Sequence, residues 1–236
     1  HLFMSLSDLV ARAFESAGPL ARMQPLYRLR PQQLEMAQAV VNAINQHSHL
    51  VVEAGTGVGK TFAYLVPALL SGERVLVSTA TKTLQDQLHG RDLPLLLRAL
   101  ALPLRTAMLK GRSSYLCRHR LQQARQNPRP AQAQEFARIE LWAQGTRTGD
   151  LAELPGLDER SPMLAQITST RENCLGADCP CFSDCHVYQA RRTALAADVL
   201  VVNHHLFFAD LAARDLGVAR LLPPAGVVVF DEAHQL

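Results

Sequence analysis

The sequence predicts a parallel α/β fold interrupted by a mainly helical or irregular insertion. Three observations predict it. Short apolar runs rich in β-branched residues alternate with helical patterns. One run leads into a glycine-rich turn that opens a helix. Residues 111–190 then break the alternation. The runs are LVVEA at 50–54, RVLVST at 74–79, TAMLK at 106–110, DVLVVN at 198–203 and GVVVFDE at 226–232. They are nearly continuous rather than alternating, as expected of parallel strands covered on both faces.

The helical patterns justify the rest of the layout. Ser5 to Ala17 puts Leu6, Leu9, Val10, Ala13 and Phe14 on one face and stops at Gly18-Pro19. A second helix spans 31–44 with Pro31 in its first turn, and a third runs from Lys60 to Leu70. Pro67 is expected to kink or shorten the third. Strands alternating with helices indicate a parallel sheet. Residues 111–190 lack a strong strand, contain all five cysteines and include loop-like stretches such as NPRP. The expected organisation is an N-terminal helix over 1–24, with a remnant ahead of Met4. The first part of the α/β domain follows at 25–110, the insertion at 111–190 and the second part at 191–236.

Composition removes several classes. Apolar residues make up 48% and charged residues 19%, so this is not a disordered chain. No apolar run approaches the roughly 18 residues of a membrane span, and the start is not a secretory signal. A cytoplasmic protein with no membrane partner is expected. The net charge of +3 does not by itself declare a polyanion binder. Its distribution says more. Arg105, Lys110, Arg112, Arg118, Arg120, Arg125 and Arg129 form a run of seven basic residues without an acid. The run is either a solvated helix face or a phosphate-binding surface. Lys110, Arg112 and Arg118 are the candidates for nucleic-acid backbone contact, and Tyr115 is either a stacking platform or core.

Two motifs carry phosphate chemistry. AGTGVGKT at 54–61 follows one apolar run and opens a helix. Gly55, Thr56, Gly57 and Gly59 let successive backbone amides face phosphate oxygens, and the helix N-terminus adds positive potential. Lys60 reaches the β- and γ-phosphates, and Thr61 ligates Mg²⁺. The second motif is Asp231-Glu232 at the end of the last apolar run. In an open parallel sheet the carboxyl ends of strands carry the site. There Gly55, Thr79, Lys110, Asn203 and Asp231 are expected to share one edge. Asp231 is placed to hold Mg²⁺ through water, and Glu232 to orient and deprotonate the attacking water. Lys60, Asp231 and Glu232 are thus the candidate catalytic residues for ATP hydrolysis.

Cysteines add a third feature. Cys174, Cys179, Cys181 and Cys185 lie within twelve residues, and Cys117 stands upstream. Clustered thiols in a reducing compartment favour a metal. Spacing alone suits zinc at least as well as iron.

These pieces resemble the superfamily-2 helicases. DEAH at 231–234 resembles their second motif, TATKTLQDQL at 79–88 their motif Ia, and RPQQ at 30–33 a motif in which Gln33 reads adenine. A cysteine-bearing insertion between motif Ia and the DEAH motif resembles the XPD/DinG iron–sulfur group, and more narrowly its bacterial DinG members. KGRSSYLC, NCLGADCPCFSDC and ADVLVVNHHLFFADL carry that likeness, which covers about 25–236. The resemblance implies a RecA-like P-loop domain and a 4Fe–4S cluster on Cys117, Cys174, Cys179 and Cys185, with Cys181 spare. It implies DNA-backbone contact by Lys82 and Gln85. It also implies an ATP-dependent helicase moving 5′ to 3′ on single-stranded or forked DNA, in repair or replication and with partner proteins of those processes. A second RecA-like domain would complete the cleft, so the chain is expected to be a fragment, inactive alone. A non-catalytic, metal-stabilised single-strand-binding module is the alternative, and a P-loop ATPase acting on protein or a small molecule is a third reading.

Overall fold

The structure is a computed structural model that describes residues 3–215 and 221–236. The chain divides into two compact units. Unit 1 comprises residues 1–108 and 196–236, and unit 2 residues 109–195.

Unit 1 is built on a four-stranded, fully parallel sheet. Its strands are β1 (Val75–Thr79), β2 (Thr106–Met108), β3 (Val199–Asn203) and β4 (Val227–Phe230), in spatial order β2-β3-β1-β4. Register pairs Val75 with both Val199 and Val227, and Thr79 with Asn203. β1 is buried along its whole length, as its unbroken apolar pattern requires. Helices α1 (Leu6–Ala13), α2 (Pro19–Met23), α3 (Pro31–Asn45) and α4 (Lys60–Leu70) lie in the N-terminal part. They are followed by α5 (Lys82–Gln87), a π-turn at Leu88–Asp92 and α6 (Leu93–Ala99). Phe14, Val41, Leu65, Val66, Val77, Leu93 and Val201 are fully buried in one continuous core.

Three expectations change. The first helix ends at Ala13, not Ala17. Ser5 and Asp8 close a capping box at its start. At its end the chain folds back so tightly that a Cβ on Gly18 would stand 2.4 Å from the Arg12 carbonyl oxygen. Only glycine fits there. Pro67 does not shorten α4, which continues to Leu70. The largest difference concerns LVVEA. Residues 50–54 form no strand, and Val51 is 96% exposed. β4 is the end strand of the described sheet, with Val228 and Phe230 partly exposed. An apolar run becomes a strand only when a neighbour supplies ladder hydrogen bonds and cover. Among the described residues, LVVEA has neither.

Unit 2 contains α7 (Arg118–Gln126), α8 (Ala133–Gly145), α9 (Leu164–Ile167) and most of α10 (His186–Ala196), joined by 3₁₀ turns. Its core is Leu116, Leu121, Ile139, Ala143, Leu151, Leu154, Met163 and Ile167. α11 (His204–Asp215) follows β3 back in unit 1. No described helix is long and apolar enough to cross a membrane.

Candidate nucleotide and thiol sites

The nucleotide motifs meet in unit 1. Gly57 and Gly59 adopt φ of 83° and 82°, a region open to glycine at little cost. The turn they make ends at Lys60, the first residue of α4. Two side chains brace it: Arg30 donates to the Gly57 carbonyl, and Gln33 Nε2 to the Gly59 carbonyl at 3.0 Å. On the other side of the site, the Asp231 amide donates to the Ser78 carbonyl at 2.8 Å, which aligns the DEAH segment with the end of β1. Glu232 sits in the left-handed region at φ 55°, uncommon for a residue with a Cβ. Its Oε1 lies 3.4 Å from Lys60 Nζ, and its Oε2 is 3.4 Å from His234 Nε2. Thr79 Oγ1 donates to Asp231 Oδ2 at 3.5 Å.

Burial, and next the neighbouring Glu232 carboxylate, raise the Asp231 pKa; Lys60 pulls the other way. Tyr64, one turn beyond Thr61 on α4, was not among the residues the sequence singled out. It is 4% exposed. Burial and then the charge of Asp231 push its phenol well above the ordinary value. Nothing in the motif spelling marks it, although its spacing of three from Thr61 on a helix places both on one face.

Thr56, Gly55 and Gly57 are exposed on the loop, and Thr61 is half-buried. Gln33, expected to read adenine, is 5% exposed and donates to the phosphate loop. Of the motif Ia pair, Lys82 is exposed in the first turn of α5, capped by Thr81. Gln85 is fully buried and donates Nε2 to the Val201 carbonyl at 3.1 Å, so it braces β3 and offers nothing to DNA.

Unit 2 corrects a second expected DNA contact. Lys110 follows β2 and belongs to unit 2. Its side chain is 1% exposed and its Nζ lies 2.8 Å from Asp150 Oδ2, itself 5% exposed. The Lys110 amide donates to Tyr115 Oη at 3.0 Å, Tyr115 bridges Asp150 through the backbone, and Tyr115 is 3% exposed. Lys110 and Tyr115 therefore belong to the interior. Arg112 Nη1 donates to Cys174 Sγ at 2.9 Å, and Arg118 Nη1 reaches the Ala143 carbonyl at 3.4 Å.

All five cysteines are free and half-buried. Cys117 begins α7. Burial raises its pKa; the first-turn amides of Arg120 and His119 oppose that, and the thiols of Cys179 and Cys185 lie close enough to add to it. Cys181 is raised by burial and then by Cys179 and Cys117, and its Sγ donates to Gln122 Oε1 at 3.5 Å. Arg191, whose own pKa is lowered by burial and by Arg112, lies within the field of Cys174 and Cys185. Among the described residues no three His, Cys, Asp or Glu side chains converge with metal-ligand spacing. The chemistry of the donor set still suits a thiolate-ligated group: four expected ligand thiols in one unit, none in a disulfide, with two guanidiniums beside them.

Comparison with known proteins agrees with the motifs. The DEAD/DEAH box helicase family matches residues 33–125. The chain is 48% identical to the ATP-dependent DNA helicase YoaA of Haemophilus influenzae over 99% of its own length, and 46% identical to that of Escherichia coli over 94%. It is 40% identical to the ATP-dependent helicase DinG of Mycobacterium tuberculosis over 99%. It spans 37%, 36% and 37% of the lengths of those proteins. The phosphate loop facing a DEAH segment, together with these matches along nearly all of its length, places the chain in the DEAD/DEAH box helicase family, with the YoaA and DinG proteins.

Proposed function

We propose that this chain forms the ATP-binding part of an ATP-dependent DNA helicase that moves 5′ to 3′ on single-stranded or forked DNA. The observation that carries the proposal is the 3.4 Å approach of Lys60 Nζ to Glu232 Oε1, which brings the phosphate-loop cation to the DEAH carboxylates. The phosphate loop amides and Lys60 bind the β- and γ-phosphates, and in doing so Lys60 leaves Glu232. Thr61 and Asp231 would hold Mg²⁺, which would neutralise phosphate charge, with Asp231 kept in place by Thr79. Glu232 then accepts a proton from the attacking water at a carboxylate oxygen, general-base help worth on the order of 10²–10⁴ in rate. Gln33 links the loop to the adenine, and Lys82 takes a DNA phosphate.

In unit 2 we assign Cys117, Cys174, Cys179 and Cys185 as the ligands of a 4Fe–4S cluster. The cluster would tie the start of α7 to the cysteine-rich turns, and the Arg112 and Arg191 guanidiniums would offset its negative charge. Cys181 is not a ligand in this assignment.

The test is calorimetric titration of the chain with ATP and Mg²⁺, beside Lys60→Ala, and iron per chain after anaerobic purification. The variant should bind at least tenfold more weakly. Serine at Cys117, Cys174, Cys179 or Cys185, but not at Cys181, should remove the iron. Equal nucleotide affinity in Lys60→Ala would overturn the ATP reading, and full iron in Cys185→Ser the ligand set. Single-strand-stimulated ATP hydrolysis by the longer protein separates a helicase from a binding module.

A further inference from the structure

The structure sorts the basic run between Arg105 and Arg129. Lys110 is neutralised by Asp150 inside unit 2. Arg112 is committed to Cys174. Arg125 grips both carboxylate oxygens of Glu140, at 2.8 Å at the closest. Arg105, in unit 1, faces Asp198. Arg118 turns to the Ala143 carbonyl at 3.4 Å. Arg120 and Arg129 remain, and neither has a carboxylate partner among the described residues. Both line one cleft of about 340 Å³ in unit 2, together with Gln123, Gln126, Asn127 and Gln166.

No acid and no aromatic side chain lines that cleft. Its polar groups are two guanidiniums and four primary amides. Arg120 is held in place there: its Nη1 donates to Gln123 Oε1 at 3.2 Å and its Nη2 to the Ala165 carbonyl at 3.2 Å. Its buried Nε–H has no partner. Gln166 Nε2 donates to Gln132 Oε1 at 2.9 Å, which fixes a second wall. Guanidiniums match the oxygens of a phosphate, and amides offer both donors and acceptors to sugar and base edges. The volume lies at the lower end of the range for small-ligand pockets, enough for about one nucleotide unit.

We propose that this cleft holds a phosphodiester segment of single-stranded nucleic acid, with Arg120 and Arg129 on its phosphates and the amides on its sugars and base edges. The site differs from Lys110, Arg112 and Arg118, the residues that the sequence favours. Only the identity of the polyanion rests on the helicase reading. Without an aromatic platform, base stacking contributes little, so affinity depends weakly on base identity and strongly on salt.

The experiment measures binding of single-stranded oligonucleotides to the chain by fluorescence anisotropy across a salt series. The parent is compared with Arg120→Gln/Arg129→Gln, with Arg129→Gln alone and with Arg160→Gln, an exposed arginine outside the cleft. Arg129→Gln alone guards against misfolding, since Arg129 is exposed and its side chain makes no hydrogen bond among the described residues. Each phosphate contact on a single strand adds about 0.7 to the slope of log affinity against log salt. The double variant should therefore lose about 1.4 from the slope and on the order of tenfold in affinity at low salt, and Arg129→Gln about half that slope. Arg160→Gln should match the parent. Equal losses in Arg160→Gln and the double variant would overturn the cleft, leaving a general charge effect. Displacement of the strand from the parent by inorganic phosphate at constant ionic strength, with unchanged strand affinity in the double variant, would overturn it in favour of a free-phosphate site. If the parent bound no strand at all, both the cleft and the DNA reading would fall. Parent-like binding by the double variant would remove the cleft alone.

Discussion

Two lysines measure the difference between the two units. Lys60 in unit 1 stands 3.4 Å from Glu232 with its side chain 37% exposed. Lys110 in unit 2 stands 2.8 Å from Asp150 with its side chain 1% exposed. The first pair is long, half in water and easily parted, so its members are free to exchange partners when a phosphate and a metal arrive. The second is short, dry and tied into the backbone by Tyr115 and by the Asp150 side chain, which caps the turn at Leu151–Glu153. Its two charges can leave each other only by exposing the interior. Unit 1 rests on a sheet and an extended apolar core and holds the Lys60–Glu232 pair at its rim, while its Asp210, paired with Arg214, is buried. Unit 2, with a smaller apolar core, puts an ion pair inside and uses it as structure.

Removing each lysine separates the two roles most sharply. Lys110→Met leaves the Asp150 carboxylate buried and uncompensated, a loss of about 3–5 kcal/mol. Hydrogen exchange should show that loss in unit 2, with amides of unit 1 protected as before. Lys60→Met removes a half-exposed pair and should change stability by no more than about 0.5 kcal/mol. Equal loss of protection from both variants would erase the distinction between the pairs. A Lys110→Met/Asp150→Leu double variant should recover much of the stability, because an apolar pair needs no compensation.

A second pair of substitutions works within unit 1. Leu200 in β3 is fully buried, and Leu200→Ala should cost about 2–5 kcal/mol. Val51 belongs to a run of similar composition but is 96% exposed, and Val51→Ser should stay within about 0.5 kcal/mol. Urea midpoints measured side by side decide the matter. A large loss at Val51 would mean that residues 50–54 are covered in solution.

That pair also marks how far the sequence could be read. RVLVST, TAMLK, DVLVVN and GVVVFDE contain β1 to β4, because an unbroken β-branched run has few homes outside a covered parallel sheet. LVVEA obeys the same rule and is no strand here. Pairing depends on which run comes alongside, and composition does not carry that. The approach of Lys60 to Glu232 was legible because both motifs have a fixed spelling. The fates of Lys110 and Gln85 were not. Asp150, forty residues beyond Lys110, and the Val201 carbonyl, on a strand far along the chain, claim them first. A basic run shows where charge is concentrated, and only tertiary partners decide which members stay free for a ligand. Tyr64 escaped notice because burial beside Asp231, rather than a motif, makes it part of the site.

The smallest expected effect lies at Asp231, and pH exposes it. Burial and the Glu232 carboxylate raise the Asp231 pKa in the folded chain. The folded chain therefore keeps a proton there up to a higher pH than the unfolded chain does. Between the two pKa values the folded state binds more protons, so the contribution of this group to stability falls as pH rises through that window. Below the unfolded carboxyl value, about 3.9, the group is protonated in both states and contributes no difference. Asp231→Asn removes the ionisation altogether. Without nucleotide or metal, the variant should melt slightly above the parent at pH 7–8, and the gap should close on acidification towards pH 4. The same substitution should weaken Mg²⁺-dependent ATP binding, so the site would trade stability for metal affinity at this carboxylate. Thermal melts at steps between pH 4 and 8 check the sign. A variant less stable than the parent at pH 8, or a gap that does not change with pH, would show that the Thr79 hydrogen bond and Lys60 outweigh burial. The rim of unit 1 would then hold its charges as firmly as the interior of unit 2 holds Lys110 and Asp150.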